Sequence, residues 1–134
     1  MQLETKIFEA PTSEDEVLEA ARGLAAALAE TPEYQAREQA QRSLRQDVAA
    51  QGAIRAVQER QQALGWQLQM GLIGDAEREE MQRLQQAMFA QPAVQAYADA
   101  QQRLGAVCQE VAGLISDIIG LNFAASCGPG CSCG

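Results

Sequence analysis

Histidine is missing from the chain altogether. Its absence removes serine–histidine and cysteine–histidine catalytic pairs, and with them the Glu-x-x-His ligand sets of di-iron helical bundles. Also lacking are a glycine-rich loop following a strand and a nucleophile in a recognisable elbow, so the chain is not expected to be an enzyme. Aromatic residues make up 4% of the sequence and β-branched residues are sparse, which speaks against strands. Positive charge is short: 10 Lys and Arg face 18 Asp and Glu, for a formal net charge of −8. A surface of that sign repels phosphate groups, and direct nucleic-acid binding is not expected.

Long uninterrupted apolar runs are lacking too. Residues 104–125 form the most apolar window, but Glu110, Asp117, Gln109 and Asn122 within it are costly at mid-bilayer. The window reads as a buried helix, with no membrane insertion. The start, Met1-Gln-Leu-Glu-Thr-Lys-Ile-Phe-Glu9, has acidic residues and no apolar core of a secretory signal. The expected location is cytoplasmic, where thiols are normally kept reduced.

What is present is a chain of helix formers. Ala, Gln, Glu, Leu and Arg dominate residues 13–121 of the 134, so an all-α fold is expected: a bundle or paired helical hairpins of about four helices, two short and two long. The length suits one domain. The expected division is an N-terminal extension over 1–12, a helical domain over 13–122 and a cysteine-rich tail over 123–134.

The first helix is announced by Ser13 and Glu16 as a capping box, with Glu14 and Asp15 favoured in the first turn. Its apolar stripe is Val17, Leu18, Ala21, Leu24, Ala25 and Leu28. Thr31-Pro32 ends it and opens a long second helix expected to reach Met70, with Gly52 and Gly65 as weak points. Gly71 to Asp75 supplies a stop, a turn and a cap before a short third helix over 76–90. Gln91-Pro92 then opens a fourth, whose seam Val94, Tyr97, Gln101, Leu104, Cys108, Val111, Ile115 and Ile118 alternates by three and four. Laying the segment from Pro32 on that from Pro92 matches Gln35 with Gln95, Ala36 with Ala96, Ala40 with Ala100, Gln41 with Gln101 and Leu44 with Leu104. The chain reads as two copies of short helix, proline break and long helix.

Cysteine is concentrated at one place. Cys127, Cys131 and Cys133 close the chain as Cys-x3-Cys-x-Cys around Gly128, Pro129 and Gly130, and only Cys108 lies elsewhere. Thiolates favour zinc, copper(I) and iron–sulfur clusters, and glycines let neighbouring sulfurs converge on one metal. The other readings of this tail are redox or persulfide chemistry, and a mobile thiol segment without a ligand. Cys108 sits on the helical seam, where a free cysteine acts as a small apolar residue. The fourth ligand of a tetrathiolate site is therefore expected from a partner, a second copy or a small molecule.

Two further groups stand out. Trp66, Met70, Met81, Met88 and Phe89 suit either an adaptable docking surface or core. Arg37, Glu38, Arg42, Arg45 and Asp47 read as a solvated helix face.

The acidic capped start, Thr31-Pro32-Glu33-Tyr34, and Gln91-Pro92-Ala93-Val94-Gln95-Ala96-Tyr97 with the seam that follows resemble the YlbF/YmcA family of small helical regulators of bacteria. The cysteine tail is an addition to that resemblance, which spans residues 14–121. It implies a non-enzymatic adaptor that assembles with sister YlbF/YmcA-like subunits and a YaaT-like subunit. It further implies a link to ribonuclease Y, mRNA processing, competence, sporulation and biofilm formation, and four-iron four-sulfur clusters bound through cysteines. On that basis Cys127, Cys131 and Cys133 are the expected ligands of a shared iron–sulfur cluster, with zinc as the alternative. Two other readings stay open: a metal- or thiol-handling protein whose body only presents the tail, and a structural oligomer that uses the seam of Val94 to Ile118 between chains.

Overall fold

The computed structural model describes residues 13–123, which form six α-helices and, among the described residues, no strand. They are α1 (Ser13–Ala29), α2 (Pro32–Gln46), α3 (Val48–Ala63), α4 (Gly65–Met70), α5 (Asp75–Phe89) and α6 (Pro92–Ile119). The all-α expectation holds, with six helices in place of four. The expected long second helix is three: α2, α3 and α4.

The first of its breaks falls at Asp47, five residues before Gly52, which lies inside α3. Asp47 adopts extended backbone (φ −81°, ψ 107°), and its carboxylate accepts a hydrogen bond from the Ala50 N–H at 2.8 Å. One residue thus ends α2 and caps α3, while the Gln51 side-chain amide donates to the Leu44 carbonyl across the break at 2.8 Å. A cap that satisfies free N–H groups outweighs the weak helix preference of an interior glycine. The second break is at Leu64, one residue before the expected Gly65, with φ −98° and ψ 4°.

The two proline breaks share one geometry. Thr31 and Gln91 are both extended N-caps; their N–H groups donate to Leu28 and Met88 carbonyls at 3.1 and 3.2 Å, and their carbonyls accept from Gln35 and Gln95, each at 3.1 Å. Thr31 adds side-chain bonds, accepting from the Tyr34 N–H at 3.2 Å and donating to the Leu28 carbonyl at 2.6 Å. The repeat seen in the sequence is therefore present in the backbone of both breaks.

α2 packs chiefly on α6 and α3 on α5, making one antiparallel hairpin of two bent rods. Its tip is α4 and the turn after it, where Gly71 takes the left-handed conformation (φ 68°). The Gly71 and Leu72 N–H groups return to the Leu68 and Gln67 carbonyls at 3.3 and 2.9 Å, the Schellman pattern that requires glycine. On the far side of the turn the Glu77 carboxylate caps the Gly74 N–H at 2.6 Å, so α5 is capped from Gly74 and Asp75 is its first helical residue.

The core is thin. Among the described residues only Ala50, Val57, Leu64, Met81, Val94 and Ala100 are buried, and Leu84 and Met88 pack partly covered against Val57, Leu64 and Met81. Nothing in α1 is buried.

Candidate interaction surfaces

Three regions of the rod stand out, one that joins its two arms and two that display apolar side chains. The first joins α2 to α6. Arg37 Nε donates to Gln101 Oε1 at 3.1 Å, its Nη2 to the Tyr97 hydroxyl at 3.4 Å, and its Nη1 to Glu38 Oε1 at 3.1 Å. The guanidinium also lies 5.8 Å from the centre of the Tyr97 ring. Its pKa is held above the usual arginine value, first by the hydrogen bond to Tyr97. This accounts for the polar Gln101 in an otherwise apolar seam: its partner comes from the facing helix. Arg37 and Asp47 are thus structural groups, not members of a plain solvated face.

The second region is the hairpin tip. Trp66, Leu68, Met70 and Leu72 are exposed there, beside an open groove of about 630 Å³ lined by Leu68, Ile73, Met81 and Arg78. The Met and aromatic set named from the sequence divides between core and surface: Met81 is buried and Met88 half-buried in the core, while Trp66, Met70 and Phe89 are exposed.

The third region lies at the other end, where α1 and the last turns of α6 project from the hairpin. Every residue of α1 over 13–27 is exposed, including Val17, Leu18 and Leu24. On α6 the seam stays half-buried or better through Ile115, but Leu114, Ile118 and Ile119 are exposed. The described part of the apolar window, over 104–123, is therefore covered on one side only, which corrects its reading as a buried helix. No helix among the described residues is long and apolar enough to cross a membrane.

Cys108 is a free, half-buried thiol on α6, as expected for a seam position. Cys127, Cys131 and Cys133, the expected cluster ligands, lie outside the described residues. Within those residues no three metal-ligating side chains gather.

The family model described as control of competence regulator ComK, YlbF/YmcA, matches residues 17–119. The chain belongs to this family. The match runs from the second turn of α1 to the last residue of α6, so it takes in both proline breaks, the hairpin and the exposed end. No curated protein and no solved structure matches. A YlbF/YmcA family member is a regulator connected with competence.

Proposed function

We propose that the protein is a non-enzymatic, cytoplasmic adaptor that works by assembling with sister YlbF/YmcA-like and YaaT-like subunits to modulate ribonuclease Y-dependent mRNA processing. The observation that supports this reading best is the family match over residues 17–119. It is accompanied by a body with apolar side chains displayed at both ends, the surface composition of a protein that binds proteins. In this proposal Cys127, Cys131 and Cys133 supply three thiolates to an iron–sulfur cluster, or to zinc, and the fourth ligand comes from a partner. The donor set fits a soft metal, and Cys108 suits the fourth position poorly. It is half-buried on α6 and eleven residues before the end of that helix, roughly 16 Å along its axis. A bound cluster would supply a redox- and iron-sensitive link between subunits.

Purification without oxygen from the native host, with an absorption spectrum, iron and sulfide analysis and identification of co-purifying proteins, tests this. Sister subunits and ribonuclease Y should accompany the chain, and replacing Cys127, Cys131 and Cys133 by Ser should abolish metal while leaving helix content unchanged. An inert monomer in cell extract contradicts the adaptor role. A lone chain that holds stoichiometric iron and sulfide after Cys108→Ala contradicts the shared site.

A further inference from the structure

Charge is absent from the tip of the hairpin. The segment from Gln61 to Gly74 contains no Asp, Glu, Lys or Arg, although the chain is 21% charged and the tip is largely exposed. A surface that has to stay in water normally carries charge on about a quarter to a third of its residues. In its place the tip shows Trp66, Met70 and Leu72, each more than half exposed. Depletion of charge with enrichment of Trp and Met is the composition found at the centre of protein–protein interfaces.

Beside these side chains lies the open groove of about 630 Å³. Its wall on α5 is Arg78, Met81, Gln82 and Gln85, a spacing that keeps to one face of the helix over two turns, about 10 Å. Buried Met81 is the floor, and Leu68 and Ile73 come in from the tip. A helix about 10 Å wide fills this volume with roughly one and a half turns, so the groove accepts the side chains of one helix face.

The groove carries a single charge, that of exposed Arg78. Arg22, Arg37 and Arg60 pair with Glu19, Glu38 and Glu80, but the Arg78 guanidinium has no partner among the described residues. Its neighbour Glu77 is taken up by the Gly74 N–H. A lone cation over an apolar floor, in a chain of net charge −8, selects an occupant with a carboxylate.

Segments of the same chain do not supply one. Residues 1–12 attach to α1 at the opposite end, beyond roughly 50 Å of helix, and fully extended they span about 42 Å. Residues 124–134 attach beyond α6, roughly 55 Å from Met81, and span about 38 Å. A second copy that met the groove with its own groove would bring another Arg78 and no acid from the lining.

We propose that the groove at the hairpin tip is the docking site for an amphipathic helix of another protein. Two or three of its apolar residues sit on Leu68, Ile73 and Met81, an Asp or Glu pairs with Arg78, and Trp66 lies along the flank. This rests on the adaptor reading only in requiring a partner.

A displayed library of random peptides of about 16 residues, selected on the full-length reduced chain, tests it. The enriched peptides should share apolar residues at helical spacing with an Asp or Glu at one fixed place. Trp66 is the chain's one tryptophan, so their binding should move its emission to shorter wavelength. Arg78→Glu alters an exposed side chain and should keep the thermal transition, yet weaken these peptides by about tenfold or more. Changing the acid of the peptide to Lys should recover binding to that variant. A library that yields no such peptides, or peptides that bind Arg78→Glu equally well, overturns the proposal. So does a shift of Trp66 emission with phosphatidylcholine vesicles in place of peptide, which assigns the tip to a lipid surface, or with protein concentration alone, which assigns it to a second copy. A chain that selects these peptides but purifies from its host alone contradicts the adaptor role and leaves the groove standing; one that brings its partners but selects no peptide does the reverse.

Discussion

Asp47 serves as two caps at once, at the point where α2 gives way to α3. Its carboxylate satisfies the Ala50 N–H, and its backbone N–H returns to the Ser43 and Leu44 carbonyls at 3.1 and 3.4 Å. Asp47→Ala should destabilise the protein by about 1 kcal/mol in urea unfolding, the usual cost of a lost N-cap, while Asp47→Asn should restore most of it. If Ala and Asn behave alike, the bend is set by tertiary packing instead. This role was hidden in the sequence. Asp47 lies within a run of helix formers, with neither the proline that marked Thr31 and Gln91 nor a Glu three residues on to complete a capping box. By contrast, the glycines at 52 and 65 drew attention because they lower helix preference, and at Gly52 that small cost is simply absorbed. Arg37 was masked in the same way. A basic residue on a polar helix face carries no sign of the Gln101 and Tyr97 side chains that reach it from sixty residues away.

Among the elements, those bounded by proline or by a glycine turn were legible to within a residue or two: α1, α5 and α6 all end or begin where Thr31-Pro32, Gly71 to Gly74 and Gln91-Pro92 stand. The seam of α6 was legible as well, because its three-and-four alternation records which side faces α2 and α5. What the pattern did not carry is how far along each stripe a partner extends, and α1 shows this most clearly. Its stripe is as regular as that of α6, yet only Leu28 at its end is half-buried and the rest is exposed. α4 makes the same point over six residues. Leu64 just before its start is 5% exposed and Trp66 is 62% exposed, although the larger side chain of the two is the tryptophan. Leu64→Ala should therefore cost about 2–3 kcal/mol, at the lower end for a core truncation because the core is thin. Trp66→Ala should stay within about 0.5 kcal/mol, as expected for an exposed position. Equal losses in the two variants, read from denaturant midpoints at constant slope, would show that Trp66 is packed.

Taken as a whole, the molecule is a rod with its few buried residues in the middle and unpartnered apolar surface at either end, and that distribution decides how its stability should behave. Burial around Val57, Leu64 and Met81 is internal to one chain and independent of concentration. α1 has no buried side chain, so nothing in the core holds its hydrogen bonds closed. Hydrogen exchange separates the two kinds of stability. Amides over residues 57–64 and 81–88 should be the slowest to exchange, because the core lies there. Those over 17–28 should exchange within the fastest phase of the helical amides. Protection of 17–28 as high as that of 57–64 would mean that α1 is held by packing and not by its own helix propensity alone.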